Sequence, residues 1–281
     1  MTYNIDIEDI VEDEEQTVIH NVKMSDVING SGWDGVTAVR FNIPEGYSIG
    51  STSTSEPALT IDGEYPLGLS IVNYGLIAGA GGKGGSFVNG YGEPGGTAIN
   101  VIVECSLENN GVIAGGGGGG GAGAIIKYNT NIYDSNMTYL NTYFYNAYGS
   151  GGGGGAGVVS GTGGSSIGTT TFWPDNTGGE INLVLSGSSG IQGSLTKGGE
   201  GGAEGSYIFE DGIPRTVFTT AGGKGGDLGE SGDSGGNGYT GFEDIDTTEY
   251  REIIIGYAGG AAGSPIEGTD KVSLSGNGVI K

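Results

Sequence analysis

One cysteine and one histidine in 281 residues remove much of the usual chemistry at the outset. A single thiol cannot build an intrachain disulfide framework. Cys105 falls in phase with Ile99, Val101, Val103 and Leu107, the pattern of a buried thiol on one face of an alternating strand. His20 alone supports neither a Ser-His-Asp triad nor a multi-histidine metal site. Carboxylate pairs of the glycosidase kind arise by accident among 33 acidic residues, so a glycan-acting enzyme is the weakest of the readings.

Basic residues are also scarce. Ten lysines and arginines against 33 acids give a formal charge of −23, which repels a polyanion, excludes nucleic acid as a partner and leaves room for divalent cations. Seven prolines and no sustained Gly-X-Y period exclude collagen. No run approaches the roughly 20 apolar residues of a membrane span, and Met1 to Asp6 has no basic stretch followed by an apolar one. The expectation is a chain made in the cytoplasm that inserts into no membrane. Hydrophobic residues make up 35%, which confines a conventional core to part of the chain.

Glycine is what the chain has in excess: 65 residues, most of them after Gly75 and in tracts such as Gly115 to Gly121. Seven positions without a Cβ cannot form a side-chain core, so their order must come from backbone packed on backbone. Polyproline II suits this, because it has three residues per turn and leaves every amide and carbonyl free for neighbours. Disordered linkers lack the apolar segments that separate these tracts. The reading predicts ordered, packed polyproline II helices at 79–85, 115–123, 149–157, 198–205 and 221–238.

The organisation follows the composition. Residues 1–20 carry Asp6, Glu8, Asp9, Glu12, Asp13, Glu14 and Glu15 with no lysine or arginine, and read as an acidic arm. Residues 21–72 have β-type runs at 37–43, 47–50, 58–61 and 67–72 and read as a small β domain; 73–281 reads as the glycine-rich domain. The predicted class is mainly β and irregular: a β-rich N-terminal domain followed by a bundle of polyproline II helices with protruding loops. A degenerate unit recurs, Leu69-Ser70-Ile71-Val72-Asn73-Tyr74-Gly75-Leu76-Ile77-Ala78-Gly79 against Cys105-Ser106-Leu107-Glu108-Asn109-Asn110-Gly111-Val112-Ile113-Ala114-Gly115. Weaker copies lie at Leu183 to Gly193 and Leu274 to Ile280. Their spacing is too irregular for a solenoid of constant rung length, and predicts a shared base from which glycine hairpins of different length project.

Motifs for small ligands carry little weight. G-x-G-x-x-G matches many windows by composition alone, no glycine-lysine pair is followed by Ser or Thr, and Gly222 to Glu230 only approaches a calcium β-roll repeat. No cofactor and no metal is expected. The segments between the tracts are different. Residues 124–148 hold Tyr128, Tyr133, Tyr139, Tyr143, Phe144, Tyr145 and Tyr148, and six of the fifteen tyrosines fall there. Phe172 and Trp173, Tyr207, Phe209, Arg215 and Phe218, and Tyr239, Phe242 and Tyr250 follow in later segments. Tyrosine among Asn, Ser, Thr and Gly is paratope-like, since it brings contact area and a polar tip at little rotamer entropy. These residues are the predicted recognition surface; the bland alternative is that they cover the glycine bundle.

Asn110-Gly111-Val112-Ile113-Ala114-Gly115 running into polyglycine, and the alternation of tracts and loops over 73–265, resemble the adhesins at the tips of long tail fibres of T-even-like bacteriophages. Tyr47 to Leu59 is similar to the lead-in before glycine-rich tip modules of other phage tail proteins. The resemblance implies a non-enzymatic receptor-binding protein on the virion, at the fibre tip. Its partners would be a trimeric tail-fibre protein and a bacterial outer-membrane protein or surface glycan. A structural virion protein with a rigid glycine spacer is the alternative reading.

Overall fold

Val39, Phe41 and Ile43 alternate with polar residues, and the side they share must be buried. In the computed structural model, which describes residues 2–10, 17–133, 136, 139–166, 170–171, 181–209, 215–237 and 250–281, that side faces the interior of a parallel β-solenoid. Its first circuit comprises β1 (Thr2–Asp6), a 3₁₀ turn (Ile7–Ile10), β2 (Val18–His20) and β3 (Val22–Lys23), followed by helix α1 (Met24–Ser31). The second is β4 (Ala38–Ile43), β5 (Ser48–Gly50) and β6 (Leu59–Ile61); the third is β7 (Leu69–Asn73), β8 (Leu76–Ala78) and β9 (Ile99–Val101).

The fourth circuit begins with β10 (Cys105–Asn109) and β11 (Val112–Ala114) and is then interrupted. The interruption carries β12 (Ile125–Tyr133), β13 (Tyr139–Tyr148), β14 (Thr170–Thr171), β15 (Ile181–Ser186), β16 (Ser206–Phe209), β17 (Arg215–Phe218) and β18 (Tyr250–Ile254). The circuit closes with β19 (Ile266–Glu267), and β20 (Val272–Ser275) and β21 (Val279–Ile280) form part of a fifth.

Three sheets result, ordered β1-β4-β7-β10-β20 (sheet A), β2-β5-β8-β11-β21 (sheet B) and β3-β6-β9-β19 (sheet C). Register stacks like on like: Ile5, Phe41, Ile71, Leu107 and Leu274 form one column. Ile19, Ile49, Ile77, Ile113 and Ile280 form another, and Val22, Leu59, Ile99 and Ile266 the third. Most of these side chains are fully buried in one cluster, at about 1.5–3 kcal/mol each for a large aliphatic removed from water.

The class is mainly β, as expected, but five expectations change. Acidic residues 2–10 and 17–20 belong to the first circuit, with Ile5 and Ile7 in the core. Sheet A runs unbroken across the composition shift near Gly75. The recurrent units at 69, 105 and 274 are successive solenoid circuits, made unequal in length because the glycine segments are inserted at the corner between sheets B and C. The copy at Leu183 belongs elsewhere, since β15 pairs with β13 and β14. Cys105 is buried at the start of β10, on a different strand from Ile99 and Val101, with Val103 in the intervening corner.

Candidate functional site

The chain leaves the solenoid as direct extensions of β8 and β11 and returns into β9 and β19. Among the described residues the extensions comprise ten tracts without helix or strand, near 79–85, 90–96, 115–124, 149–157, 161–165, 187–193, 198–203, 221–227, 230–236 and 256–264. Four of them, 90–96, 161–165, 187–193 and 256–264, were not expected from the sequence, and 221–238 is two tracts folded back at Leu228–Gly229, where Glu230 N donates to Asp227 O and Asp233 N to Lys224 O. Gly229 has φ 73°, the left-handed geometry such a reversal needs.

The tract 115–124 sits at the centre. Gly116, Gly119 and Ala122 donate to Gly96, Glu93 and Gly90, each at 2.8 Å. Gly117, Gly120 and Gly123 donate to Ala156, Gly153 and Ser150, and Gly118, Gly121 and Ala124 to Glu230, Asp233 and Gly236. Its carbonyls accept from three further tracts, through Gly82 and Gly85, Gly223 and Gly226, and Gly260 and Gly263. Every third residue therefore addresses the same neighbour, and six tracts surround one. Contact at this distance excludes side chains: a Cβ on Gly118 would overlap the Gly260 carbonyl, and one on Gly119 that of Lys83. Each net hydrogen bond of about 0.5–1.5 kcal/mol offsets the extra ~0.5–1 kcal/mol that ordering a glycine costs.

At the solenoid end the tracts dock through side chains. Ala78, Ala114, Ala156 and Leu228 are buried together, and Val158 lies on Gly50, where a Cβ would collide with it. At the opposite end the tracts are joined by five segments, of which residues 86–89, 125–133, 136, 139–148, 166, 170–171, 181–186, 204–209, 215–218, 237 and 250–255 are described. Three of these share a five-stranded sheet ordered β14-β15-β13-β12-β18, and a fourth forms the β16-β17 hairpin.

The predicted recognition residues are distributed over these strands. In the five-stranded sheet Tyr128 is opposite Tyr145 and Arg251, Tyr133 opposite Tyr139, Tyr143 opposite Thr130, and Phe144 and Tyr250 both pair with Asn129. Tyr148 pairs with Ile125 at the foot of the hairpin. On the separate hairpin Phe209 is opposite Arg215, Tyr207 opposite Val217 and Phe218 opposite Ser206. Phe172, Trp173, Tyr239 and Phe242 lie outside the described residues.

The sequence reading missed a second group. Tyr91 and Tyr257 meet edge to face at 5.2 Å on adjacent tracts, and the exposed Val88 and Ile255 lie three and two residues before them in the chain. Tyr91 stands alone between Gly90 and Gly92, and Tyr257 lies at the edge of its segment, so they gave no cluster to read. Chemistry is sparse: among the described residues no cluster of His, Cys, Asp or Glu could hold a metal, and Gly222 to Glu230 forms part of two tracts and their turn. No helix there is long and apolar enough to cross a membrane. Burial pushes the Cys105 thiol up to about 11, and burial with the nearby Asp62 carboxylate pushes the Tyr65 phenol up to about 12.

The described residues thus combine a parallel β-solenoid with a bundle of tracts packed backbone on backbone. Residues 3–281 match the phage tail fibre adhesin Gp38 family, and the chain belongs to it. No curated protein matches the chain. It is similar, at 21% identity, to a chain in the crystal structure of the gp37-gp38 adhesin tip complex of the bacteriophage S16 long tail fiber, with 98% of this chain and 77% of that one covered and a TM-score of 0.46.

Proposed function

We propose that this chain is the receptor-recognising subunit at the tip of a tail fibre, in which the solenoid serves attachment and the glycine tracts, packed as polyproline II helices, hold aromatic-rich segments against a bacterial surface receptor. The observation that carries the reading is the sheet β14-β15-β13-β12-β18, in which three of the segments that join the tracts meet. The three-residue hydrogen-bond period supports the polyproline II conformation, which turns once in three residues and bonds only outward. At roughly 3.1 Å per residue the ten-residue central tract spans about 30 Å, enough to separate recognition from attachment.

On this reading segment 124–148, with Tyr207, Phe209, Arg215, Phe218 and Tyr250 and with Phe172, Trp173, Tyr239 and Phe242, contacts an outer-membrane protein or surface glycan, without catalysis or cofactor. The free end of the first circuit, hollowed into a cavity of about 630 Å³ and lined in part by Tyr3, Ile10, Ile19 and Val27, belongs to the attachment part. Purified protein added to host cells ahead of phage should block adsorption. Exchange of 124–148 for the equivalent segment of a phage with another host should redirect it. Unchanged adsorption in both experiments would refute the role.

A further inference from the structure

At the corner between sheets C and A the solenoid leaves three large apolar groups outside. Val36, Leu67 and Ile102 are 62%, 70% and 48% exposed. They sit before β4, before β7 and after β9, so they follow one another along the solenoid. Their backbone is fixed: Val39 N donates to Gly68 O at 3.0 Å and Ile102 N to Ile61 O at 2.9 Å. Asp34 accepts from Val36 N at 3.0 Å and from Thr37 N and Oγ1, which sets the loop that carries Val36.

Beside this ridge is a cavity of about 470 Å³ between the end of α1 and the loop after β6, lined among others by Ile28, Asn29, Trp33, Glu64 and Tyr65. The Trp33 and Tyr65 rings stand 5.9 Å apart at 37°. Their polar atoms are satisfied by the protein, Trp33 Nε1 donating to Thr37 O at 2.7 Å and Tyr65 Oη to Asp62 O at 2.8 Å. The rings are therefore pinned, packed on each other and against the core, with their partly exposed portions at the cavity wall. No lysine or arginine lines the cavity, and its charged wall is Glu64. Exposed Asp34 and Glu104 flank the same corner.

We propose that this corner is an attachment seat that takes a lysine or arginine side chain of the tail-fibre protein into the cavity lined by Trp33, Tyr65 and Glu64, with that partner's aliphatic groups on Val36, Leu67 and Ile102. Aromatic faces with one carboxylate recognise a cation bearing an aliphatic stem, and the exposed aliphatic ridge matches a protein surface rather than a sugar. A chain of charge −23 selects a basic partner surface. The corner also differs from the one through which the glycine tracts leave, so both can be occupied at once. The proposal rests on the tail-fibre reading above.

The test is assembly of the full chain with the purified long tail-fibre protein of the same phage. Glu64→Lys and Leu67→Asp should each weaken it about tenfold or more, a loss of about 1.4 kcal/mol, with melting temperature unchanged for Glu64→Lys. In a Trp173→Phe background, Trp33 emission should change when the fibre protein is added. Wild-type affinity in folded Glu64→Lys, or assembly with unaltered Trp33 emission, overturns the seat and leaves the tail-fibre reading intact. A wild-type chain that does not bind the fibre protein overturns both. Self-association that Leu67→Asp abolishes would assign the corner to a second copy of this chain and also overturn the proposal.

Discussion

Asn73 Nδ2 donates to Asn109 Oδ1 at 2.8 Å, and both side chains are buried at the same corner of successive circuits. Asn109 Nδ2 continues to Val279 O at 3.1 Å, while Asn73 Oδ1 and Asn109 Oδ1 accept from the backbone of Gly75 and Gly111. The ladder ends there, because the position after the Glu108–Ser275 pair is Gly276, which has no side chain to continue it. Asn109→Leu should lose this network and leave Asn73 Nδ2 short of its best acceptor, a cost of about 1–3 kcal/mol. Urea unfolding measures it, and a change within error would show that the ladder is dispensable.

The bundle has no room for a methyl group at its centre. Gly119→Ala should destabilise by more than the ~1–3 kcal/mol of ordinary overpacking, because the obstacle is a backbone carbonyl and not a side chain that can turn. Gly30→Ala makes the control: it lies in α1 with nothing near its Cβ, and should stabilise by about 0.5–1 kcal/mol. Opposite signs in thermal unfolding are expected. Equal, small effects would refute backbone close packing.

Cys105 should resist thiol reagents at pH 8 in the native protein and react fully in urea. Its thiol also gives a pH signature. Below the ordinary value of 9.0 both states keep the proton and stability is independent of this group; between 9.0 and about 11 the unfolded chain loses it while the native chain does not, so stability falls as pH rises. A Cys105→Ala variant should lack that part of the decline. Identical alkaline slopes would show that the site is solvated.

Tyr128 and Tyr145 are opposite one another on β12 and β13. Replacement of both by alanine should lower adsorption to host cells about tenfold or more, since tyrosines are frequent hot spots, and leave the tract bundle's melting unchanged. Intact adsorption by the folded double variant would move recognition to other segments, with Val88 and the Tyr91–Tyr257 pair the next to replace.

Much of the local structure was legible. The runs near 37–43, 47–50, 58–61 and 67–72 correspond to β4, β5, β6 and β7, because alternation reports a half-buried strand directly. The solenoid was not, because its third sheet interleaves with insertions of very different length: 20 residues separate Ala78 from Ile99, while 151 separate Ala114 from Ile266. A period measured along the chain cannot survive that. The tract at 256–264 escaped notice because only some of its positions meet a neighbour too closely for a Cβ, so Tyr257, Ala258, Ala261 and Ala262 dilute its glycine.

By itself the sequence determined that long stretches had to order through backbone alone, since Gly115 to Gly121 offers nothing else to pack, and that aromatic segments would separate them. Only the tertiary structure decided which tract bonds to which. A glycine donor is chemically the same at Gly116, Gly117 and Gly118, and its partner in Gly96, Ala156 or Glu230 is set by its direction around the tract axis. The same holds for the solenoid, where Leu274 joins the column of Leu107 across 166 intervening residues because the circuit closes in space.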